Sequence, residues 1–487
     1  MSKIDKDLRS IQQVRDLVEI SKKAQKEFST YSQSEVDAIV KAISERAYAN
    51  AERLAVMAVE ETGFGIVADK IIKNQFASQG VYESIKDLKS IGIVNEDNEK
   101  KVWEIATPVG VIAGLIPSTN PTSTTIYKTI IALKAGNSII FSPHPSALNC
   151  ILETIKVINE VCTEFNLPEG LVSSIDIPTM DATSNLMKHD DVSLILATGG
   201  GAMVKAAYSS GTPALGVGPG NVPSFIEKTA DIPKAVKRII DGKTFDNGVI
   251  CASEQAVVAQ SCISEKVQKE FVRQGCYFVN HNEKKKFEAV IQKPNGGLNA
   301  GIVGKSPYQI AQMAGVDVPK ETRVIIAKET GVGPAYPFSR EKLSPLLVYY
   351  EEETWERACE RCTEILTYGG LGHSLSIHSE DMDIIREFAL KKPVSRICIN
   401  TSSTHGALGA TTNLMPALTL GCGSVGGSAT SDNVSAANLF NLRRVAFGIK
   451  ELDDLRPEGQ VVQTPITGEF NIEEIVKAVL LELQKHN

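Results

Sequence analysis

From about residue 101 onward, short β-branched apolar runs alternate with helical stretches, and this alternation limits the fold more than any other feature. Val111–Ile116, Ser138–Phe141, Val192–Ala197 and Val222–Ile226 read as strands, with helices at Thr125–Leu133 and Leu148–Phe165. A second such region runs from about 231 to 416. Its strands are expected at Gln255–Ala259, Arg323–Ala327, Leu346–Tyr350 and Arg396–Asn400, its helices at Ile263–Gln274 and Met382–Leu390. Strands separated by helices need crossover connections, so each region predicts a parallel sheet and the chain an α/β fold with two domains. The first 90 residues read as helical, one helix opening at a capping Ser34.

The 487 residues fit two to four domains at roughly 100–200 residues each. Hydrophobic residues make up 43% and charged residues 22%, which excludes wholesale disorder and fibrous repeats. With 51 Lys+Arg against 58 Asp+Glu there is no global bias toward nucleic acid or acidic membranes. The charged N-terminus lacks the apolar core of a secretory signal, and no transmembrane helix is expected. Nine dispersed cysteines form no disulfide framework and point to a reducing compartment. Cys359 and Cys362 make a C-x-x-C inside a helical run with no second Cys/His pair, so no metal site is expected.

Residues 452–469 carry Pro457, Gly459, Pro465 and Gly468 and read as a linker. Beyond it Asn471 can cap a helix whose Ile472, Ile475, Val476, Val479, Leu480 and Leu483 share one apolar face. So short a helix is marginal alone and should dock, on its own protomer, a neighbouring subunit or another partner.

Three local signals carry chemistry. Asp246–Gln255 presents Cys251 from a turn of small residues ahead of a strand, as an accessible nucleophile requires; a lone cysteine is otherwise a small core residue. Pro117–Pro121 follows a strand, and its Asn120 amide can donate to a developing oxyanion or belong to an ordinary Asn-Pro turn. Thr198–Gly201 follows another strand and opens the helix Ala202–Tyr208, where bare backbone N–H groups can approach a phosphate. The nearby Gly216–Asn221 does not fit the G-x-G-x-x-G fingerprint.

Taken in this order, Ile116–Pro121, Ala197–Gly200, Gly216–Asn221, Phe245–Cys251 and Gly372–Ser374 resemble the aldehyde dehydrogenase superfamily, most closely its CoA-acylating branch, over about residues 10–450. The resemblance implies an α/β fold of two Rossmann-like parallel-sheet domains, a small oligomerisation arm and a C-terminal amphipathic helix. It implies an NAD-binding domain at 1–230 with a return segment at 417–440 and a strand at 101–107 in the arm. A catalytic domain at 231–416, an arm at 441–451, the linker at 452–469 and an encapsulation peptide at 470–487 complete the division.

It also implies roles. Cys251 matches the nucleophile, and Asn120 with the Cys251 backbone N–H matches the oxyanion donors. Pro117, Ser118, Thr119, Ser142, Pro143, His144, Thr198, Gly199, Gly200 and Gly218 match cofactor-binding positions. Glu341 resembles the glutamate that holds the nicotinamide ribose, although Leu343 and Ser344 depart from the E-x-F-G-P pattern. His144 stands where the hydrolytic branch has a lysine. Of the other eight cysteines, none is singled out from a small-core role. His373, expected in a polar glycine-rich loop, matches a histidine common in the acylating branch and either helps proton transfer or is satisfied by a loop hydrogen bond. No metal is implied.

One departure bears on the reaction. Val217 occupies the position where hydrolytic members carry a water-activating glutamate, and valine cannot act as a base. Thiolysis by coenzyme A needs less help than hydrolysis, because a thiol is already partly ionised. The expectation is oxidation of a small aldehyde to acyl-CoA with NAD, NADP remaining open, by ping-pong kinetics through a thioester. Propionaldehyde comes first and acetaldehyde second. Succinic semialdehyde or sulfoacetaldehyde outside a compartment is the alternative, and a catalytically silent cargo or scaffold protein the reading from another class. The terminal helix resembles peptides that load enzymes into bacterial microcompartments, which implies a cytoplasmic protein in a microcompartment lumen, with the shell or other cargo as partner. A homodimer or homotetramer is the family expectation, with no nucleic-acid or membrane partner.

Overall fold

The computed structural model describes residues 5–456 and 472–485. Its strands are β1 (Gly92–Asp97), β2 (Val102–Pro108), β3 (Val111–Ile116), β4 (Ser138–Pro143), β5 (Val172–Ser174), β6 (Val192–Thr198), β7 (Ala214–Val217), β8 (Val222–Ile226), β9 (Glu254–Gln260), β10 (Cys276–Phe278), β11 (Val324–Lys328), β12 (Leu346–Glu352), β13 (Gly372–His378), β14 (Val394–Ile399) and β15 (Phe440–Ala446). They form a five-stranded sheet in the order β5-β4-β3-β6-β7, a seven-stranded sheet in the order β10-β11-β12-β9-β8-β13-β14, and a three-stranded sheet β1-β2-β15. Every pairing in the two larger sheets is parallel.

Helices cover both faces of these sheets, which is why β3, β4, β8 and β9 are buried at every position. The helix Pro121–Lys134, after β3, is buried at every residue although it carries Thr125, Lys128 and Thr129. These three are satisfied internally: Thr125 and Thr129 bond the backbone one turn back, and Lys128 donates to Leu115 O and Leu196 O, each at 2.7 Å. With no carboxylate partner, burial holds the Lys128 amine well below the usual lysine range. The segment after residue 416 returns to this core through Ala417, Leu420, Val434, Ala436 and Leu439.

Several expectations need correction. Val222–Ile226 (β8) pairs with β9 and β13, so it belongs to the second sheet. Gly372–Ser374 is the start of the buried strand β13, where a loop was expected. The cap of the helix Gln33–Ala49 is Ser32, in a complete capping box with Glu35, instead of Ser34. Of the cysteines outside the site, Cys262 is exposed while the rest are buried.

By compactness the chain divides into Met1–Asn95 with Glu104–Arg443, and Glu96–Trp103 with Arg444–Asn487. In the second unit Trp103 meets Phe447 edge-on at 5.2 Å, and Leu452–Leu455 is a short 3-10 turn at the start of the stretch read as a linker. From 457 that linker, and the Asn471 cap, lie outside the described residues. The helix Ile472–Gln484 exposes all six residues of its expected apolar face, from 47% at Ile475 to 72% at Ile472. Among the described residues, no helix is long and apolar enough to cross a membrane.

Candidate active site

The strand order of the five-stranded sheet turns back between β3 and β6, and a crevice opens outside the carboxyl ends at such a point. A cavity of about 530 Å³ lies there, lined by the loops after β3, β4, β6 and β7. Val249, Ile250, Cys251, Glu341 and Leu343 enter it from the segments flanking β9 and preceding β12. Cys251, Asn120 and all eleven expected cofactor-binding residues line this one cavity; His373 does not.

The local backbone explains how Cys251 is presented. Asp246 and Asn247 adopt φ of 50° and 51°, followed by Gly248 at 75°. Asp and Asn tolerate the left-handed region better than most side chains. Here the Asp246 carboxylate holds it in place, accepting from Ile66 N at 2.7 Å, Lys70 Nζ at 2.9 Å and Lys73 Nζ. Close behind Cys251 lies Gly220, where an added Cβ would sit 2.0 Å from the Cys251 carbonyl oxygen and 3.2 Å from His373 Cδ2. Only glycine permits that approach.

The Cys251 thiol is half-buried. Burial pushes it up to about 12, the Glu341 carboxylate adds to the rise, and Arg396 opposes it. The free enzyme therefore holds Cys251 as a thiol at neutral pH. Iodoacetamide labelling of Cys251, followed by peptide mass spectrometry, should accelerate about tenfold per pH unit from 7 to 9. A plateau below pH 9 would show a thiol that the site does not raise.

Asn120 occupies the N-cap of the helix Pro121–Lys134 but makes no side-chain cap bond. An asparagine there ordinarily accepts from the first turn. Its Oδ1 instead accepts from Lys73 Nζ at 2.6 Å, and its Nδ2 donates to Thr119 Oγ1 at 3.3 Å. The side chain has been diverted from capping to the cavity wall.

The residues expected to hold a dinucleotide fit one. Gly200 caps the helix Gly201–Tyr208, and a Cβ at Gly200 or Gly218 would meet nothing within 4 Å. Their bare backbone borders the cavity, as close approach of a pyrophosphate to a helix N-terminus requires. Thr198 Oγ1 is within 3.1 Å of Thr419 Oγ1, and Ser142 Oγ within 2.9 Å of Thr183 Oγ1. Glu341 accepts from Gly220 N at 3.0 Å, and burial raises its carboxyl to about 7. His144 Nδ1 accepts from Ser146 N at 3.2 Å, which leaves the proton on Nε2. Val217, the last residue of β7, is buried and lines the cavity.

His373 is fully buried. Its Nδ1 is bonded to Ser374 Oγ at 2.9 Å, Nε2 has no partner among the described residues, and burial with the Arg396 charge lowers it to about 3. It is a neutral imidazole behind the nucleophile loop. Arg396 anchors that region, donating to His373 O at 3.0 Å and to Ser431 O and Asn433 Oδ1 at 3.2 Å.

Sequence reasoning missed Lys70, Lys73 and Arg396. The two lysines are 2% and 4% exposed on one face of the helix Val67–Gln75. Their i, i+3 spacing was the available signal, but charged pairs at that spacing usually face solvent. Among the described residues no cluster of three or more His, Cys, Asp or Glu could hold a metal ion.

Residues 7–292 match the aldehyde dehydrogenase family. The bifunctional aldehyde-alcohol dehydrogenase AdhE of Escherichia coli (strain K12) is 44% identical over 442 residues, covering 90% of this chain and 50% of that protein. The chain thus spans about half the length of the first of its curated relatives. The acetylating succinate-semialdehyde dehydrogenase of Clostridium kluyveri is 39% identical over 90% of this chain and 96% of its own. Among solved structures, a probable aldehyde dehydrogenase from Listeria monocytogenes EGD-e superposes with a TM-score of 0.92 at 60% identity, over 93% of this chain and 100% of that one. A propionaldehyde dehydrogenase from the Clostridium phytofermentans fucose utilisation bacterial microcompartment gives 0.81 at 31%, over 89% and 97%. The Rhodopseudomonas palustris propionaldehyde dehydrogenase with bound propionyl-CoA gives 0.80 at 28%, over 89% and 94%. With the family match spanning more than half of this chain, and the Clostridium kluyveri relative aligned over 96% of its own length, the chain belongs to the aldehyde dehydrogenase family.

Proposed function

We propose that the chain is a CoA-acylating aldehyde dehydrogenase that oxidises a small uncharged aldehyde to its acyl-CoA, propionaldehyde before acetaldehyde. The observation that carries this reading is the convergence of Cys251, Asn120 and the bare glycine backbone on one cavity that Val217 also lines; by the family resemblance, hydrolytic members carry a water-activating carboxylate at that position. Cys251, once ionised, adds to the aldehyde carbonyl, and Asn120 Nδ2 with the Cys251 N–H holds the oxyanion. A dinucleotide, NAD in this reading, supplies the hydride acceptor when bound. Thr198, Gly199 and Gly200 would hold its phosphates, Pro117, Ser118, Thr119, Ser142, Pro143, His144 and Gly218 would border it, and Glu341 would accept from its ribose. Collapse of the oxyanion expels hydride to that acceptor and leaves a thioester on Cys251; the CoA thiol, losing its proton, adds to the thioester carbonyl, the Cys251 thiolate leaves, and acyl-CoA is released.

His373 takes a supporting part: it lies off the cavity wall, against Gly220 behind the nucleophile turn, and burial with the Arg396 charge holds its basicity down. The choice of an uncharged substrate is supported by the cavity wall. Val249, Ile250, Leu343, Leu408 and Leu418 line it, and among the described residues no lysine or arginine does. An anionic aldehyde would leave its charge unpaired. The relative named for succinic semialdehyde favours that substrate as the second reading.

The exposed apolar face of Ile472–Gln484 supports a second element of the proposal, that residues 470–487 load the enzyme into a bacterial microcompartment. An assay of propionaldehyde, acetaldehyde, succinic semialdehyde and sulfoacetaldehyde, each with CoA and with NAD or NADP, tests the chemistry. The highest kcat/KM should fall on propionaldehyde with NAD, and a preference for either anion would overturn the substrate assignment. Removing 470–487 should leave kcat unchanged and abolish co-purification with shell proteins. Loss of folding would mean that the helix packs on its own oligomer.

A further inference from the structure

One lysine ties the Asn120 loop to the Cys251 loop from behind. Lys73 donates to Asn120 Oδ1 at 2.6 Å, to Val249 O at 3.3 Å and to Asp246 Oδ2. Three acceptors match the three donors of an ammonium, and two of them belong to the segment that presents Cys251. Neighbouring charges complete the lattice. Lys70 donates to Thr119 O and Asp246 Oδ2, both at 2.9 Å, and Asp69 accepts from Asp246 N at 2.7 Å. The Phe245 ring lies 5.6 Å from Lys73 Nζ.

An ammonium can only donate, so its partner on Asn120 must be the carbonyl oxygen. That choice turns Nδ2 the other way. Nδ2 makes a single bond among the described residues, to Thr119 Oγ1, which leaves one of its hydrogens for a ligand. No helix N–H competes for the oxygen, because the side chain forms no cap bond. Resting on the reading of Asn120 as oxyanion donor, we propose that Lys73 is a positioning residue: it selects the amide orientation that aims Nδ2 at the oxyanion and keeps that amide in register with Cys251. The charge also polarises the amide, since a cation on Oδ1 draws electron density from nitrogen and makes its N–H a stronger donor. A helix outside both sheets thereby enters the chemistry without touching substrate.

The test is a double-mutant cycle of Lys73→Met and Asn120→Ala, read as the pre-steady-state rate of NADH formation from propionaldehyde, with thermal melts of each protein. Lys70 stays paired to Asp246 in the Lys73 variant, so the fold should persist. Lys73→Met should slow acylation about 10- to 100-fold, with the aldehyde KM changed far less. In the Asn120→Ala background the same substitution should cost less than about twofold, because its effect passes through the amide. Additive losses would overturn the proposal while leaving Asn120 as the oxyanion donor. Full activity in Asn120→Ala would instead overturn the reading of Asn120 and the proposal with it. If Lys73→Met does not fold, Lys73→Gln replaces it with the same expected coupling, because an amide both donates and accepts and no longer selects one orientation.

Discussion

Replacing Cys251 by alanine should lower NADH formation from aldehyde by at least about 10⁴-fold, while the protein melts at an unchanged temperature. The size follows from the bond that is lost. Without the sulfur no thiohemiacetal forms, and among the described residues no second thiol lines the cavity. The fold should tolerate the change because Cys251 is half-buried and its loop is held by Asp246, Lys70 and Lys73. Dinucleotide affinity should also survive, since the glycine backbone at Gly199 and Gly200 is untouched. Stopped-flow absorbance and a binding titration on the same variant separate the two. Residual turnover within tenfold of the native rate would mean that Cys251 is not the nucleophile.

The sheets were legible because their central strands carry continuous apolar runs and are buried at every position. What escaped was of two kinds. β5, β7 and β10 have three or four residues each, too few to show a period. β13 reads Gly-His-Ser-Leu-Ser-Ile-His, a polar string that resembles a loop, yet it is buried throughout. Its serines are satisfied across the interior: Ser376 donates to Ser224 Oγ at 2.7 Å, and Ser374 accepts from Ser403 at 3.2 Å. A strand whose serines are matched by partners 29 and 152 residues away carries no local sign of burial. That is also why His373 was placed in a loop.

The site divides in the same way. Groups that border the cavity follow strands and could be placed by motif. Those that hold the groups in place come from elsewhere: Lys73 meets Asn120 across 47 residues and Asp246 across 173. Their type and spacing describe an exposed helix face, and only tertiary contact converts two lysines into buried donors.

Omitting CoA should leave a burst of about one NADH per active site and then near-silence. Two features of the cavity produce this result. Adding the thiolate to an aldehyde and expelling hydride need only Cys251, the oxyanion donors and a bound dinucleotide, so the first half runs without CoA. The second half needs an attacking group. Water would require a base beside the thioester, and Val217 offers none. Glu341, the remaining carboxyl in the cavity wall, is engaged by Gly220 N, and with burial raising it to about 7 it is partly protonated at neutral pH. Below pH 7 it is mostly neutral and cannot activate water; above pH 7 it ionises, so any slow hydrolytic leak should grow with rising pH. A CoA thiol brings its own nucleophile and needs no such base. Mass spectrometry after the burst should find the acyl mass on the peptide containing Cys251, and addition of CoA should remove it and restart turnover. Steady release of free acid without CoA, at a rate comparable to the complete reaction, would place this chain with hydrolytic enzymes and remove the assigned consequence of valine at position 217.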